Sequence, residues 1–234
     1  MRLISRSRTA RQLVPATALV ALGLAFSATA AAADKETIEE SLQQHMPGLT
    51  IDSISQTPAE GLYELVSNGQ IAYVTADGKY LLAGDLIDIA NRQNLTQQKM
   101  NTQRVAALED VPAERKLVYP AKGDKKHAIT ILTDPTCPFC EKLHAELPAL
   151  REAGVEVTYI LTPRQGPGSK GFKQSSQVQC SDNPKDALAG AMKGGSVDAD
   201  ACADDIIRKN MALSNQLGMT GTPYTVLPNG AAMA

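Results

Sequence analysis

Two cysteines three positions apart, Cys137 and Cys140, stand between an apolar segment and a run of helix-forming residues. The apolar segment at 127–132 is typical of a buried strand, the helix-forming run covers 141–152, and a second strand-like segment follows at 155–161. A strand, a helix and a strand in this order predict a crossover connection within one sheet. Both cysteines then lie at the entrance of the crossover helix, which restricts this part of the chain to a small set of α+β folds.

The position of the cysteine pair at a helix N-terminus favours redox chemistry. Free backbone N–H groups and the positive end of the helix dipole stabilise a thiolate, which is the nucleophilic form of cysteine. Pro138 suits the first helical position because its missing N–H would be unpaired there anyway. We expect Cys137 to attack a substrate disulfide and Cys140 to resolve the mixed disulfide. Phe139 between them predicts an apolar rim for docking unfolded protein.

Two other interpretations of the cysteine pair stay open at this point. It could form a purely structural disulfide, although so small a loop stabilises little. It could also bind zinc together with His127 and His144, since a histidine four residues after C-x-x-C has ligand-like spacing. Haem attachment requires C-x-x-C-H and is excluded because position 141 is Glu. We predict no metal and no cofactor.

Residues 1–33 have the pattern of a secretory signal peptide. The segment 1–12 is basic, 13–26 is apolar, and 27–33 is a run of small residues with Ala-x-Ala cleavage sites. A membrane anchor is the alternative, but the apolar core is shorter than the ~20 residues of a span. All 25 acidic residues follow residue 33, whereas four of the 23 basic residues precede it. The acidic remainder argues against nucleic acid as a partner.

The remaining cysteines, Cys180 and Cys202, enclose a loop of helix-prone sequence. An exported protein keeps its disulfides, and a bridge closing this loop is worth about 3.4 kcal/mol in the loop-entropy formula. A structural disulfide that holds a helical insertion is therefore favoured over a second redox pair. The pattern G-x-G-x-x-G at 166–171 predicts a mobile connection and not a dinucleotide site, because Pro167 removes a donor that a pyrophosphate would need.

The chain before the cysteines divides into a small domain and a polar helix. Residues 35–46 predict an amphipathic helix, and 71–82 predict a hairpin with an Asp77-Gly78 turn. A domain of this size is marginal alone, so we expect it to pair with a second copy. The segment 96–110 is helix-prone but polar on every side, which is typical of a helix that bridges domains through solvent. An ordinary surface helix of one continuous domain is the alternative.

Several short runs connect the catalytic segment to a known family. They are Thr133-Asp134, Thr136-Cys137 with Cys140, Lys142-Leu143-His144, Pro163-Arg164-Gln165-Gly166, Gln216-Leu217-Gly218 and Gly221-Thr222-Pro223. Together they resemble the periplasmic disulfide isomerases of the DsbC/DsbG type over nearly all of the chain after the signal peptide. The Lys-Leu-His and Pro-Arg-Gln-Gly runs favour the DsbC side.

The resemblance implies an α+β architecture in three parts. A small cystatin-like dimerisation domain would cover 34–94, a linker helix 95–115, and a thioredoxin-like domain with a helical insertion 116–234. Two chains would form a V-shaped homodimer in which the Cys137 pairs face an uncharged cleft. The resemblance also implies a membrane thiol reductase of the DsbD type as the partner that keeps the pair reduced.

Individual residue roles follow from the same resemblance. It implies that Pro223 is cis and that Thr222 lies beside the active site. We expect Pro138 and Phe139 to support substrate binding there as well. The resemblance also implies that Cys180 and Cys202 form the structural disulfide of the family.

Two departures from the family pattern are visible. Pro138-Phe139 differs from the Gly-Tyr usual in DsbC and is closer to the Pro-Tyr of DsbG, which affects the redox balance. Family members continue past the turn at Asn229-Gly230 with another strand and a closing helix, and only four residues follow that turn here. We therefore expect the C-terminal strand and helix to be missing and the strand at 224–227 to leave a bare edge.

These features predict a periplasmic thiol–disulfide isomerase that rearranges wrong disulfides in misoxidised exported proteins. A reductase of oxidised single cysteines, as in DsbG, is one alternative and would prefer sulfenic acids. A holdase that uses the cleft alone is the other alternative.

Overall fold

The structure, a computed structural model, describes residues 21–234, without the side chains of 21–31 and Ala33. Residues 1–20 of the predicted signal peptide lie outside the described residues. Among the helices of the described part, none combines the length and the apolar character needed to cross a bilayer.

The N-terminal unit is a helix on an antiparallel sheet. Helix α1 (Ala21–His45) precedes a four-stranded sheet in the order β1-β2-β3-β4. The strands are β1 (Ser53–Gln56), β2 (Leu62–Ser67), β3 (Gln70–Thr75) and β4 (Leu81–Leu82). The predicted helix at 35–46 forms the C-terminal part of α1, which begins earlier because the alanine-rich run has high helix propensity.

A small core holds α1 against this sheet. The predicted hairpin at 71–82 forms, with Val74 opposite Leu81 and Gly78 in the left-handed region at φ 66°. The hydroxyl of Ser41 on α1 donates to the carbonyl of Gly78 at 2.7 Å, so the hairpin turn rests directly on the helix. The buried residues of this core are Ile38, Leu42, Ile54, Tyr63, Leu65 and Val74.

The short ribbon β5 (Ile87–Asp88) and β6 (Gln93–Asn94) leads into helix α2 (Leu95–Glu109). The side chain of Asn94 caps α2 by accepting the backbone N–H of Gln97 at 2.8 Å. A 3₁₀ turn at Ala113–Arg115 follows the helix.

The C-terminal unit contains a five-stranded sheet in the order β11-β10-β8-β9-β7. Only β8 and β9 are parallel, and they pair from His127↔Val155 to Thr133↔Leu161, as the predicted crossover requires. The strands are β7 (Leu117–Tyr119), β8 (His127–Thr133), β9 (Val155–Leu161), β10 (Tyr224–Val226) and β11 (Ala232–Met233).

Five helices complete this unit. They are α3 (Pro138–Ala145), α4 (Leu147–Glu152), α5 (Lys170–Cys180), α6 (Pro184–Met192) and α7 (Asp204–Gln216). The crossover helix predicted as one element is divided at Glu146, which ends α3 and precedes α4. Pro148 explains the division, because it has no N–H to continue the hydrogen bonds of α3.

The expected bare edge at 224–227 is wrong. Strand β11 pairs with β10 through Thr225↔Met233 and Val226↔Ala232. A tight turn reverses the chain, with the N–H of Leu227 donating to the carbonyl of Ala231 at 2.8 Å and Gly230 at φ 80°. The residues after the turn therefore suffice for a short hairpin.

The expectation that α2 bridges two domains through solvent is also wrong. Arg104 of α2 is buried, and its Nε donates to the carbonyl of Leu217 at 2.9 Å. One terminal nitrogen of Arg104 donates to the carbonyl of Gly230 at 3.3 Å. Ala107 and Leu108 pack against the apolar cluster of α7, β8, β9 and β10. The polar helix uses its side chains to bind the backbone of the C-terminal unit.

We predict that Arg104→Met lowers the free energy of unfolding by about 2 kcal/mol, because it removes charge-assisted hydrogen bonds to two buried carbonyls. Urea denaturation at neutral pH measures the change. Lys99→Met is the matched control on the same helix. It removes a cation that forms a surface ion pair with Glu64 at 3.1 Å, and it should cost less than about 1 kcal/mol. Equal effects of the two replacements would contradict the role of Arg104.

Candidate active site

The sequence folds the cysteine segment into a tight turn between β8 and α3. The carboxylate of Asp134 accepts the backbone N–H of Thr136 at 2.8 Å, which forms an Asx turn directly after the strand. The N–H of Cys137 then donates to the carbonyl of Asp134 at 3.0 Å. Cys137 is the N-cap residue of α3 and Pro138 takes the first helical position, as the sequence predicts.

Both cysteines are free thiols and both are buried, with 2% of Cys137 and 1% of Cys140 exposed. The Sγ of Cys137 lies 3.2 Å from the carbonyl oxygen of Thr222, to which the thiol donates. The Sγ of Cys140 accepts the backbone N–H of Asp134 at 3.5 Å. Each sulfur thus has a polar neighbour of its own, one from the Thr222 loop and one from the end of β8.

The two thiols differ in acidity. Burial acts to raise the pKa of Cys137, but hydrogen bonding with Thr222, with Cys140 and with the backbone of Phe139 outweighs it and lowers that pKa below 9.0. Burial dominates at Cys140 and raises its pKa to about 11, despite the N–H of Asp134. At neutral pH the pair therefore consists of one activated nucleophile and one protected thiol.

The other predicted site residues surround Cys137. The Thr222–Pro223 peptide bond is cis, and its loop faces the sulfur of Cys137. Phe139 is 66% exposed, with the ammonium of Lys142 5.4 Å from its ring centre. An open cleft of about 250 Å³ borders Cys137 and Pro138 on the side of the helical insertion.

An ion pair below the cysteine turn was not predicted as part of the site. Asp134 is 1% exposed, and its carboxylate accepts the hydroxyl of Thr136 at 2.6 Å and both the backbone N–H and Nε of Arg164, at 3.0 and 3.3 Å. A Cβ on Gly171 would lie 2.9 Å from this carboxylate, so the position has room only for glycine. The sequence feature that could have indicated this ion pair is the acidic residue Asp134 directly after the buried strand β8.

Among the residues proposed as alternative zinc ligands, His127 lies apart from the cysteine pair. His127 begins β8, whereas Cys137 follows the opposite end of that strand. The ring of His144 packs against Tyr119 and Tyr159. Within residues 21–234, no cluster of three or more His, Cys, Asp or Glu side chains is suited to hold a metal ion.

Cys180 and Cys202 form a disulfide that joins the end of α5 to the segment before α7, with Cα atoms 6.0 Å apart. The glycine-rich run at 166–171 forms the turn into α5. There Ser169 caps the helix by accepting the backbone N–H of Phe172 at 3.1 Å.

Comparisons with known proteins agree with this architecture. A family model of the disulfide bond isomerase protein N-terminal domain matches residues 29–97, and a thioredoxin-like domain model matches 117–234. The thiol:disulfide interchange protein DsbC of Escherichia coli K12 is 35% identical over 214 residues, which cover 91% of this chain and 86% of that protein. The chain belongs to the DsbC family.

Other relatives support the assignment to the DsbC family. The DsbC of Haemophilus influenzae is 31% identical over 88% of this chain and 87% of its own length. Separately, a solved structure of Helicobacter pylori DsbG aligns with 82% of this chain and 99% of that one, at 14% identity and a TM-score of 0.46. As a DsbC homologue with a thioredoxin-like domain, the chain is a thiol–disulfide oxidoreductase.

We predict that iodoacetamide at pH 7 alkylates Cys137 at least ~100-fold faster than Cys140, since the pKa of Cys137 is lowered below 9.0 whereas burial raises the pKa of Cys140 to about 11. Cys137 borders an open cleft and Cys140 lies one turn deeper, so access favours the same residue and the pH dependence of the rate reports ionisation. Peptide mass mapping after short pulses measures both rates. As the pH falls through the pKa of Cys137, its rate should fall as well. Equal labelling of the two residues would contradict the assignment.

Proposed function

We propose that the chain is a protein disulfide isomerase of exported proteins in which Cys137 is the nucleophile and Cys140 the resolving thiol. The observation that carries the proposal is the placement of the two sulfurs, with Cys137 at the N-cap of α3 and Cys140 inside the helix. The Cys137 sulfur has a lowered pKa at the N-terminus of α3, whereas Cys140, one turn deeper, has a raised pKa. An isomerase needs this asymmetry, because Cys137 must attack the substrate disulfide while Cys140 stays protonated until the mixed disulfide has to be resolved.

The reaction begins when the Cys137 thiolate attacks one sulfur of a wrong substrate disulfide. A bond forms between Cys137 and that sulfur, and the other substrate sulfur leaves as a thiolate. The freed thiolate attacks elsewhere in the substrate until Cys137 is displaced, which leaves the enzyme reduced and the number of disulfides unchanged. If rearrangement stalls, Cys140 attacks Cys137, the substrate leaves reduced, and the pair becomes a disulfide.

Substrate binding is assigned to the apolar rim around Cys137. Phe139 offers an exposed ring to unfolded segments, and a Phe ring is a low-entropy contact surface. Pro138 borders the cleft on one side, and the Thr222–Pro223 loop borders the sulfur on the other. A peptide placed between them would bring its disulfide to Cys137.

The homodimer is supported by the exposed apolar residues of the N-terminal unit. Strand β4 is an edge of its sheet, and Leu81 and Leu82 on it are each nearly half exposed. Ile87 and Ile89 nearby are 55% and 86% exposed. An apolar edge strand is a template for pairing with another chain, and a second copy would cover this surface.

A periplasmic location fits the signal-peptide pattern of residues 1–33 and the Cys180–Cys202 disulfide. Misoxidised exported proteins are the substrates that this compartment provides. Because the Cys140 attack leaves the pair oxidised, the cycle needs an external thiol source. We assign this role to a membrane thiol reductase of the DsbD type.

We predict that the reduced protein reactivates scrambled, multi-disulfide ribonuclease and that Cys137→Ala abolishes this activity. Cys140→Ala should instead accumulate a mixed disulfide between Cys137 and the substrate, because the resolving thiol is gone. Ribonuclease activity and non-reducing electrophoresis measure the two outcomes. Full activity in both variants would contradict the mechanism.

The same assay separates the alternative functions. Preference for a sulfenic acid over scrambled disulfides, at unchanged dependence on Cys137, would indicate the DsbG-like reductase. Suppression of aggregation that survives loss of both Cys137 and Cys140, without reactivation, would indicate a holdase.

We predict that Leu82→Asp raises the dissociation constant of the dimer at least ~10-fold, because a charge would be desolvated at the interface. Ser53→Asp adds the same charge on β1, the opposite edge of the same sheet, and should leave the dimer intact. Sedimentation equilibrium measures both constants. Weakening by Ser53→Asp but not by Leu82→Asp would place the interface on the other edge.

A further inference from the structure

His144 lies four residues after Cys140 on α3, which puts the two side chains on the same face of the helix, one turn apart. The histidine is partly buried, and its Nδ1 is a buried atom without a hydrogen-bond partner among the described residues. A buried polar atom without a protein partner is costly, so this nitrogen needs a water molecule or a reacting group to bind. The mechanism above leaves this nitrogen without a role.

The resolving step requires a base that removes the proton of Cys140. Cys140 must lose its proton when it attacks the mixed disulfide, but burial holds its pKa at about 11. At pH 7 Cys140 is therefore almost entirely in the thiol form at equilibrium. A base within reach of the thiol, directly or through one water molecule, would remove this barrier.

Other titratable groups near Cys140 are poorly suited to act as that base. The carboxylate of Asp134 is engaged by Thr136 and by Arg164. Tyr159 and Tyr119 have pKa values raised by burial, the latter to about 12, and are neutral phenols at pH 7. They can donate a proton in a hydrogen bond but cannot take one up.

The aromatic side chains instead position the histidine. The centres of the Tyr159 and His144 rings are 5.7 Å apart. The Tyr159 phenol also lies near Cys140, since a negative charge on the Cys140 sulfur raises the pKa of Tyr159. The ring of Tyr119 stands edge-on to His144 at 6.1 Å, and its hydroxyl is a second buried atom without a partner among the described residues. His144 and Cys140 thus lie one turn apart on α3, and Tyr159 of β9 is a neighbour of both.

We propose that His144 accepts the proton that Cys140 loses when it resolves the mixed disulfide. The proposal rests on the proposed function and extends its second half. As the proton moves from Cys140 to the imidazole, a bond forms between the sulfurs of Cys140 and Cys137. The bond between Cys137 and the substrate sulfur breaks, and the electron pair leaves on that sulfur, which takes a proton from water. The cysteine pair is oxidised and the substrate is reduced.

The protonation state of His144 suits this role. Burial, and then the ammonium of Lys193, lower its pKa below 6.5, so the imidazole is neutral and able to accept a proton at pH 7. Other charged groups surround the neighbouring Tyr119. Lys185 lies 5.3 Å from its ring centre, and Asp186 and Arg151 act on its hydroxyl electrostatically.

The test follows the two halves of the reaction in one stopped-flow trace. The aromatic disulfide of thionitrobenzoate reacts first with Cys137 and releases one thionitrobenzoate. Attack by Cys140 then releases a second. We expect His144→Gln to leave the first phase unchanged and to slow the second about 100-fold at pH 7. The deficit should shrink as the pH approaches the Cys140 pKa of about 11, because hydroxide then deprotonates the thiol.

A second variant tests the role without touching the imidazole. In the wild type, the second phase should slow as the pH falls through the His144 pKa. Lys193→Gln removes a cation that lowers this pKa, so the midpoint of the slowing should move to higher pH. Lys209→Gln removes an exposed cation from α7 and should not move the midpoint.

The outcomes separate this inference from the proposed function. A second phase that is equally fast and has the same pH profile in His144→Gln would overturn the role of the histidine while leaving Cys137 chemistry intact. An unmoved midpoint in Lys193→Gln would do the same. A missing first phase in the folded wild-type protein would instead overturn the proposed function itself.

Discussion

The start of α3 is the constraint on which the active site depends. A helix leaves its first backbone N–H groups without internal partners, and the N-cap residue is the one whose side chain reaches them. Because Cys137 occupies that position, its sulfur lies near the backbone of Phe139 and Cys140 at the helix start, which lowers its pKa, whereas Cys140 is already inside the helix and buried. A helix that began one residue later would deprive Cys137 of this stabilisation.

The start of α3 is itself fixed by groups on three other segments. The Asx turn of Asp134 sets the path from β8 into the helix, and Arg164 from the loop after β9 neutralises its buried carboxylate. The carbonyl of Thr222 approaches Cys137 from the loop before β10. Because β8 lies between β9 and β10 in the sheet, strand order brings these contacts together. The reactivity of one sulfur therefore depends on the sheet as a whole.

Local patterns in the sequence predicted most of the fold and the reactive centre. Strand β9 forms over 155–161, and the Asp77-Gly78 hairpin forms because turn chemistry and alternation agree there. The polar composition of α2 predicts a solvent-exposed helix, which is wrong. Composition does not reveal that Arg104 donates to the carbonyls of Leu217 and Gly230, because these residues are distant in sequence and meet only in the folded chain.

Sequence patterns also do not predict very short strands or contacts between residues that are distant in the chain. Strand β11 is two residues long, too short for any periodicity to identify it. The ion pair of Asp134 with Arg164 and the packing of His144 against Tyr159 each join residues from different elements. A spacing rule detects partners within one helix or hairpin, and these partners are brought together by tertiary packing.

Arg104 links helix α2 to the edge of the catalytic sheet. The same guanidinium donates to the carbonyl at the end of α7 and to the carbonyl in the β10–β11 turn, so α2 contacts both a helix end and the sheet edge. The Leu217 carbonyl also accepts from the hydroxyl of Tyr224, whereas the carbonyl of Gly230 in the turn depends on Arg104. One edge of the catalytic sheet is therefore supported by a residue that lies outside the C-terminal unit.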